Sequence, residues 1–195
     1  MDLNLTDIPV EVSARHVHLS QKVADALFGK NYNFSKRKDL SQPGQFACEE
    51  RVDIKTDKDT LKNVAILGPL RKKTQVEISL TDARKIGAKG LVRESGDLDG
   101  TPGCTLIGPK GSFEITEGLI IAKRHIHMAP KDAEKLSVKN GEEVKVRIKS
   151  KDRSLIFENV VARVSEKFSL AMHIDTDEGN AVQYDSEMAG NLFSK

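Results

Sequence analysis

Apolar and polar residues alternate along most of this chain in short runs, the period expected of half-buried β-strands. The runs are VEVSARHVHL (10–19), KNVAIL (62–67), TQVEISL (74–80), CTLIG (104–108), SFEI (112–115), GLIIAKRHIHM (118–128), EVKVRIKS (143–150), RSLIFENVVARV (153–164) and FSLAMHI (168–174). Helical signals are brief: SQKVADALFG, LTDARKIG with Thr81 as its cap and Gly87 as its end, PKDAEKL, and DTDEGNA. The predicted class is therefore mainly β, with short helices as caps over barrel ends. No strand alternates with a long helix, which argues against a doubly wound or TIM-type parallel sheet.

An internal repeat organises the chain. SARHVHLSQKVADAL (13–27) aligns without a gap to AKRHIHMAPKDAEKL (122–136), at an offset of 109 residues. Arg15 matches Arg124, His16 matches His125, His18 matches His127, Ala24 matches Ala133 and Leu27 matches Leu136. A strand, a motif and a short helix occurring twice predict two related β-domains with a site at their junction.

Composition narrows the partners. The 195 residues carry 31 basic and 29 acidic side chains for a net charge of +2, so bulk charge gives no reason to expect nucleic acid or an anionic membrane. No apolar run approaches the roughly 20 residues of a membrane helix, and the first residues lack the order of a secretory signal. The expectation is a cytoplasmic protein, with Cys48 and Cys104 reduced and structural.

The candidate chemistry lies in the histidines. Residues i and i+2 of a strand share a face, so His16 and His18 form one clamp and His125 and His127 another. The chain has five histidines, and the fifth, His173, ends another apolar strand. This pattern points to bound metal, with zinc favoured by imidazole and iron, nickel or cobalt as alternatives. Glu77 is the one acid inside an otherwise apolar alternating strand of the first half; it reads equally as a ligand, a solvated strand face or an ion-pair partner. Asp175 and Asp177 could steady His173 or cap the helix after it. Arg71, after the GPL turn, could bind phosphate through paired hydrogen bonds, though the nearby basic residues also fit a solvated turn. GTPG and GPKG are turns that match no phosphate loop.

Taken together, RHVHLS, GPLR, TQVEIS, TDAR, GTPG, IIAKRHIHM and MHIDTDEGNA, in this order, resemble the PduL-type phosphate propanoyltransferases, zinc-dependent phosphotransacylases of bacterial microcompartments and their relatives. The similarity covers roughly residues 9–185. It implies two β-barrel domains capped by short helices, the chain crossing between them at the two Arg-His-x-His motifs. One barrel would comprise 1–14 and 123–195, the other 15–122, with the active site at their junction. By position, His16, His18 and Glu77 would hold one zinc, and His125, His127 and His173 a second. Arg71 would bind phosphate, and Ser13, Ala14, Arg15, Leu67 and Asn180 would contact coenzyme A. The implied reaction interconverts propanoyl-CoA or acetyl-CoA plus phosphate with acyl phosphate plus CoA. The resemblance also allows a homodimer. Microcompartment members carry an amphipathic N-terminal extension, whereas eight residues precede Pro9 here, so the expectation is a cytoplasmic enzyme outside the shell. The lumen is the alternative if an extension was removed.

The competing enzyme reading is a metal-dependent hydrolase of a CoA thioester or other small substrate. An amidohydrolase barrel needs about 250 residues with alternating helices, which the pattern lacks. A cupin-like site would want a glutamate soon after its HxH, and none follows before residue 49. A module that only binds metal or CoA would leave Arg71 without a task.

Overall fold

The structure is a computed structural model and describes residues 7–193. In chain order its strands are β1 (Ile8–Ser13), β2 (His16–His18), β3 (Lys36–Asp39), β4 (Phe46–Lys55), β5 (Thr60–Gly68), β6 (Gln75–Glu77), β7 (Val92–Arg93), β8 (Cys104–Gly108), β9 (Gly111–Ile115), β10 (Leu119–Ala122), β11 (His125–Met128), β12 (Glu143–Ile148), β13 (Leu155–Val164), β14 (Ala171–Asp175) and β15 (Ala189–Phe193). The helices are α1 (Gln21–Phe28), α2 (Leu80–Ile86), α3 (Pro130–Leu136) and α4 (Thr176–Ala181). The fold is mainly β, as the alternation implies.

The chain divides into two compact units. The first takes residues through Ser13, Ser41–Pro43, and everything from Lys123; the second takes Ala14–Leu40 and Gly44–Ala122. Residues 1–6 and 194–195, which the resemblance assigns to the first barrel, lie outside the described residues.

The first unit is a closed barrel in the order β1-β14-β11-β13-β12-β15. β12 shows why it closes on itself: Val144, Val146 and Ile148 point inward while Glu143, Lys145 and Arg147 face out. Ile8, Val10, Ile126, Met128, Val146, Val160, Met172 and Ile174 fill the interior. The second unit is a nine-stranded sheet in the order β7-β10-β6-β2-β5-β4-β8-β9, with β3 pairing on β4. α1 packs Val23, Ala24, Leu27 and Phe28 onto it, and Ile54, Leu61, Ile66, Val76, Leu106 and Leu119 complete its core.

The structure corrects some local expectations and decides others. The run from Val10 to Leu19 is two strands rather than one, because the chain leaves the barrel after Ser13 and enters the second unit at Ala14. Thr81 does not cap α2: the cap is Ser79, whose hydroxyl accepts from the Asp82 amide at 3.2 Å, and Thr81 lies inside the first turn. Gly87 does end that helix, in the left-handed conformation with φ 69°. Asp175 caps α4 in a reciprocal box with Glu178, their bonds being 2.8 and 3.0 Å. β3, β4, β7 and β15 form without having been expected; in β4 the charged run Glu49–Arg51 and a register shift hide the inward pattern of Cys48, Val52 and Ile54. Both cysteines are buried free thiols, and burial pushes them up to about 11 for Cys48 and about 12 for Cys104.

Candidate metal centres

The two units use one local design twice. In the second, β2 runs antiparallel to β6 and His16 stands opposite Glu77. In the first, β11 runs antiparallel to β14 and His125 stands opposite His173. Each Arg-His-x-His strand thus faces a strand carrying a third donor. A short helix follows that strand and takes the motif arginine: Arg15 pairs with Asp82 at 3.2 Å, and Arg124 with Glu178 at 2.9 Å. The strands preceding the motifs are exchanged, since β1 pairs in parallel with β14 and β10 in parallel with β6.

His16, His18 and Glu77 are all buried. Glu77 Oε1 lies 3.5 Å from His16 Nε2 and 3.8 Å from His18 Nε2. Donors about 2.0–2.1 Å from a tetrahedral zinc would stand about 3.4 Å apart, so the carboxylate oxygen already lies within a few tenths of an ångström of the separation from each imidazole that a shared zinc requires. The far nitrogens set the tautomer. His16 Nδ1 is 2.8 Å from the Ala14 carbonyl and His18 Nδ1 is 3.3 Å from that of Leu67. A carbonyl can only accept, so each Nδ1 carries a hydrogen, and in a neutral ring Nε2 is the nitrogen left to bind a cation.

The electrostatics agree with a ligand carboxylate. Burial alone would raise the Glu77 carboxyl, but His16, His18 and Arg71 together hold it well below the usual carboxylate range. Burial would lower His16, yet the Glu77 charge and hydrogen bond raise it above its ordinary value. Burial, then the charges of His16 and Arg71, push His18 down to about 3.

Arg71 belongs to the same surroundings. Its amide donates to the Leu19 carbonyl at 2.8 Å, and its guanidinium donates to Ser95 Oγ at 3.1 Å. Gly68 ends β5 just before Arg71 and leaves room for a neighbouring ring: a Cβ there would lie 2.3 Å from Phe46. Buried Gln75 bonds Ser95 Oγ at 2.8 Å, donates to Glu77, and accepts from the Gly96 amide at 2.8 Å. Gln75 and Ser95 were not singled out in the sequence. Gln75 shares a strand face with Glu77 and could have been; Ser95, in a loop, gave no signal.

In the first unit the donor atoms of His125, His127 and His173 converge, all lying within 4.8 Å of one another. His125 Nδ1 lies 2.8 Å from the Lys123 carbonyl, two residues back, repeating the relation of His16 to Ala14. The rings stack compactly, with the His125 and His173 centroids 5.2 Å apart and the His127 ring 4.1 Å from that of Phe168. A three-imidazole donor set of this kind suits a borderline divalent cation such as zinc.

The residues implied for coenzyme A are distributed over both units. Ser13 ends β1 opposite Asp175, and Asn180 lies exposed in α4. Ala14 and Arg15 are exposed just before β2, and Leu67 lies in β5 with its carbonyl toward His18. Among the described residues no helix is long and apolar enough to cross a membrane.

A family model described as phosphate propanoyltransferase matches residues 9–185. Curated relatives of that name are similar along most of both chains. The protein of Listeria monocytogenes is 53% identical over 190 residues, 97% of this chain and 89% of its own. That of Leptotrichia buccalis is 54% identical over 184 residues, 94% and 86% of the two chains. That of Thermotoga maritima is 55% identical over 174 residues, 89% and 83%.

Proposed function

Given that the chain belongs to the phosphate propanoyltransferase family, we propose that it is a metal-dependent phosphotransacylase interconverting acyl-CoA plus phosphate with acyl phosphate plus CoA. Propanoyl and acetyl groups are the expected acyl units. The observation that carries this reading is the link from Arg71 to a buried two-histidine, one-glutamate donor set: Ser95 Oγ accepts from the Arg71 guanidinium at 3.1 Å and stands 3.4 Å from Glu77 Oε1.

His16, His18 and Glu77 would hold one zinc, and His125, His127 and His173 a second. The donor chemistry fits: neutral imidazoles whose far nitrogens are tied to carbonyls, and in one set a carboxylate that stays ionised. Bound zinc with an open position supplies stabilisation of a thiolate and polarisation of a carbonyl. The Arg71 guanidinium offers a planar fork for two phosphate oxygens, orienting the third toward the thioester carbon. As the new C–O bond forms, the C–S bond breaks and the electron pair leaves with the CoA sulfur. Ser95, bonded to Arg71 and to Gln75, keeps the guanidinium from swinging out of line. Ser13, Ala14, Arg15, Leu67 and Asn180 would guide the CoA moiety.

The test is a coupled assay for acyl phosphate from propanoyl-CoA and inorganic phosphate. Phosphate-dependent appearance of both acyl phosphate and free thiol is expected. Thiol release at the same rate without phosphate would make the protein a thioester hydrolase instead.

A further inference from the structure

The trihistidine set differs from its counterpart in composition: it is built of three imidazoles, whereas the other set includes the Glu77 carboxylate. Resting on the two-metal reading above, we propose that Glu11, held in place by Ser41, is a positioning residue for His173 that supplies the negative charge the trihistidine set lacks. β1 and β14 run in parallel with Glu11 directly beside His173, and Glu11 Oε2 lies 3.7 Å from His173 Nδ1. That distance is an electrostatic contact rather than a hydrogen bond.

The same carboxylate oxygen accepts from Ser41 Oγ at 2.7 Å. Ser41 is brought there by Ser41–Pro43, the stretch that belongs to the barrel although the chain on either side does not. Gln42 anchors this stretch. It is buried, and its side-chain amide donates to the Ser169 carbonyl at 3.0 Å while accepting from the Ser169 amide at 3.3 Å. Glu11 is therefore oriented by a neighbour that is itself fixed.

The repeat supplies an independent argument. The offset of 109 residues that matches His16 to His125 takes Glu11 to Ile120. Ile120 stands beside Glu77 in the parallel pair of β10 and β6, as Glu11 stands beside His173. Where the third donor is a carboxylate, its neighbour is a fully buried isoleucine; where it is an imidazole, its neighbour is a carboxylate. Each set thus has one carboxylate at this pair of positions, as a donor in one and behind a donor in the other. A carboxylate facing Nδ1 favours the hydrogen on that nitrogen, which leaves Nε2 to a cation, and raises the basicity of the ring.

Zinc-stripped protein titrated with Zn²⁺ against a chromophoric chelator tests this. Wild type should bind two equivalents, and His173→Ala should remove one. Glu11→Gln should weaken one equivalent by about 10- to 100-fold and leave the other at wild-type affinity. Glu11→Asp should recover part of the loss, and Ser41→Ala should show a smaller loss at the same equivalent. The melting temperature of metal-free Glu11→Gln should match wild type. Two equivalents of wild-type affinity in Glu11→Gln would overturn the proposal, as would equal weakening of both or a matching destabilisation of the metal-free protein. If wild type binds fewer than two equivalents, or His173→Ala binds like wild type, the two-metal reading itself has failed.

Discussion

Replacing Arg71 by alanine separates the phosphate site from the fold. Two contacts of this residue have different fates. The backbone bond to the Leu19 carbonyl, 2.8 Å, survives truncation and keeps the turn after β5 in register. The guanidinium, bonded to Ser95 and exerting its charge on His16, His18 and Glu77, disappears. Loss of one charged, preorganised contact to a transition state costs about 3 kcal/mol, on the order of a hundredfold in kcat/KM for phosphate. The side chain is half-buried and bonded to Ser95, so truncation should change stability by about 1 kcal/mol, well below its effect on the rate. Arg71→Lys should recover part of the rate, since an ammonium keeps the charge but not the planar fork. The assay is the initial rate against phosphate concentration at saturating propanoyl-CoA, beside thermal denaturation of both variants. An alanine variant with normal phosphate KM and turnover but a lower melting temperature would make Arg71 a structural turn residue. The phosphate site would then have to be sought at Arg15 or Arg124.

Two further predictions concern the scaffold. Gly68→Ala places a methyl 2.3 Å from the Phe46 ring and should cost about 1–3 kcal/mol by denaturant unfolding; Phe46→Leu should recover part of it, and simple additivity would contradict the clash. Ser79→Ala should lose about 1 kcal/mol as a helix cap, whereas Thr81→Ala should fall within about 0.5 kcal/mol of wild type; the reverse order would restore Thr81 as the cap.

Strand alternation and the doubled motif made the β class and the shared faces of His16 with His18 and His125 with His127 legible without coordinates. The period of two fixes which side chains share a face of one strand, but not which strand lies beside it. That is why Glu77 could be read equally as a solvated position, and why only the pairing of β2 with β6 shows it buried opposite His16. Likewise Asp175 could serve either the histidine or the helix until its bond to the Glu178 amide showed it as a cap. β4 was illegible because Glu49, Glu50 and Arg51 interrupt its pattern, and β3 because all four of its residues face solvent. Ser95 and Ser41 act through bonds to residues far along the chain, a relation that local periodicity does not encode.

The most direct test of the central claim is to restore zinc to zinc-stripped protein while following phosphate-dependent formation of acyl phosphate from propanoyl-CoA. Activity should be absent without metal, rise with bound zinc and level off at two equivalents per chain. Full phosphate-dependent activity in protein holding well under one equivalent of any transition metal would contradict it.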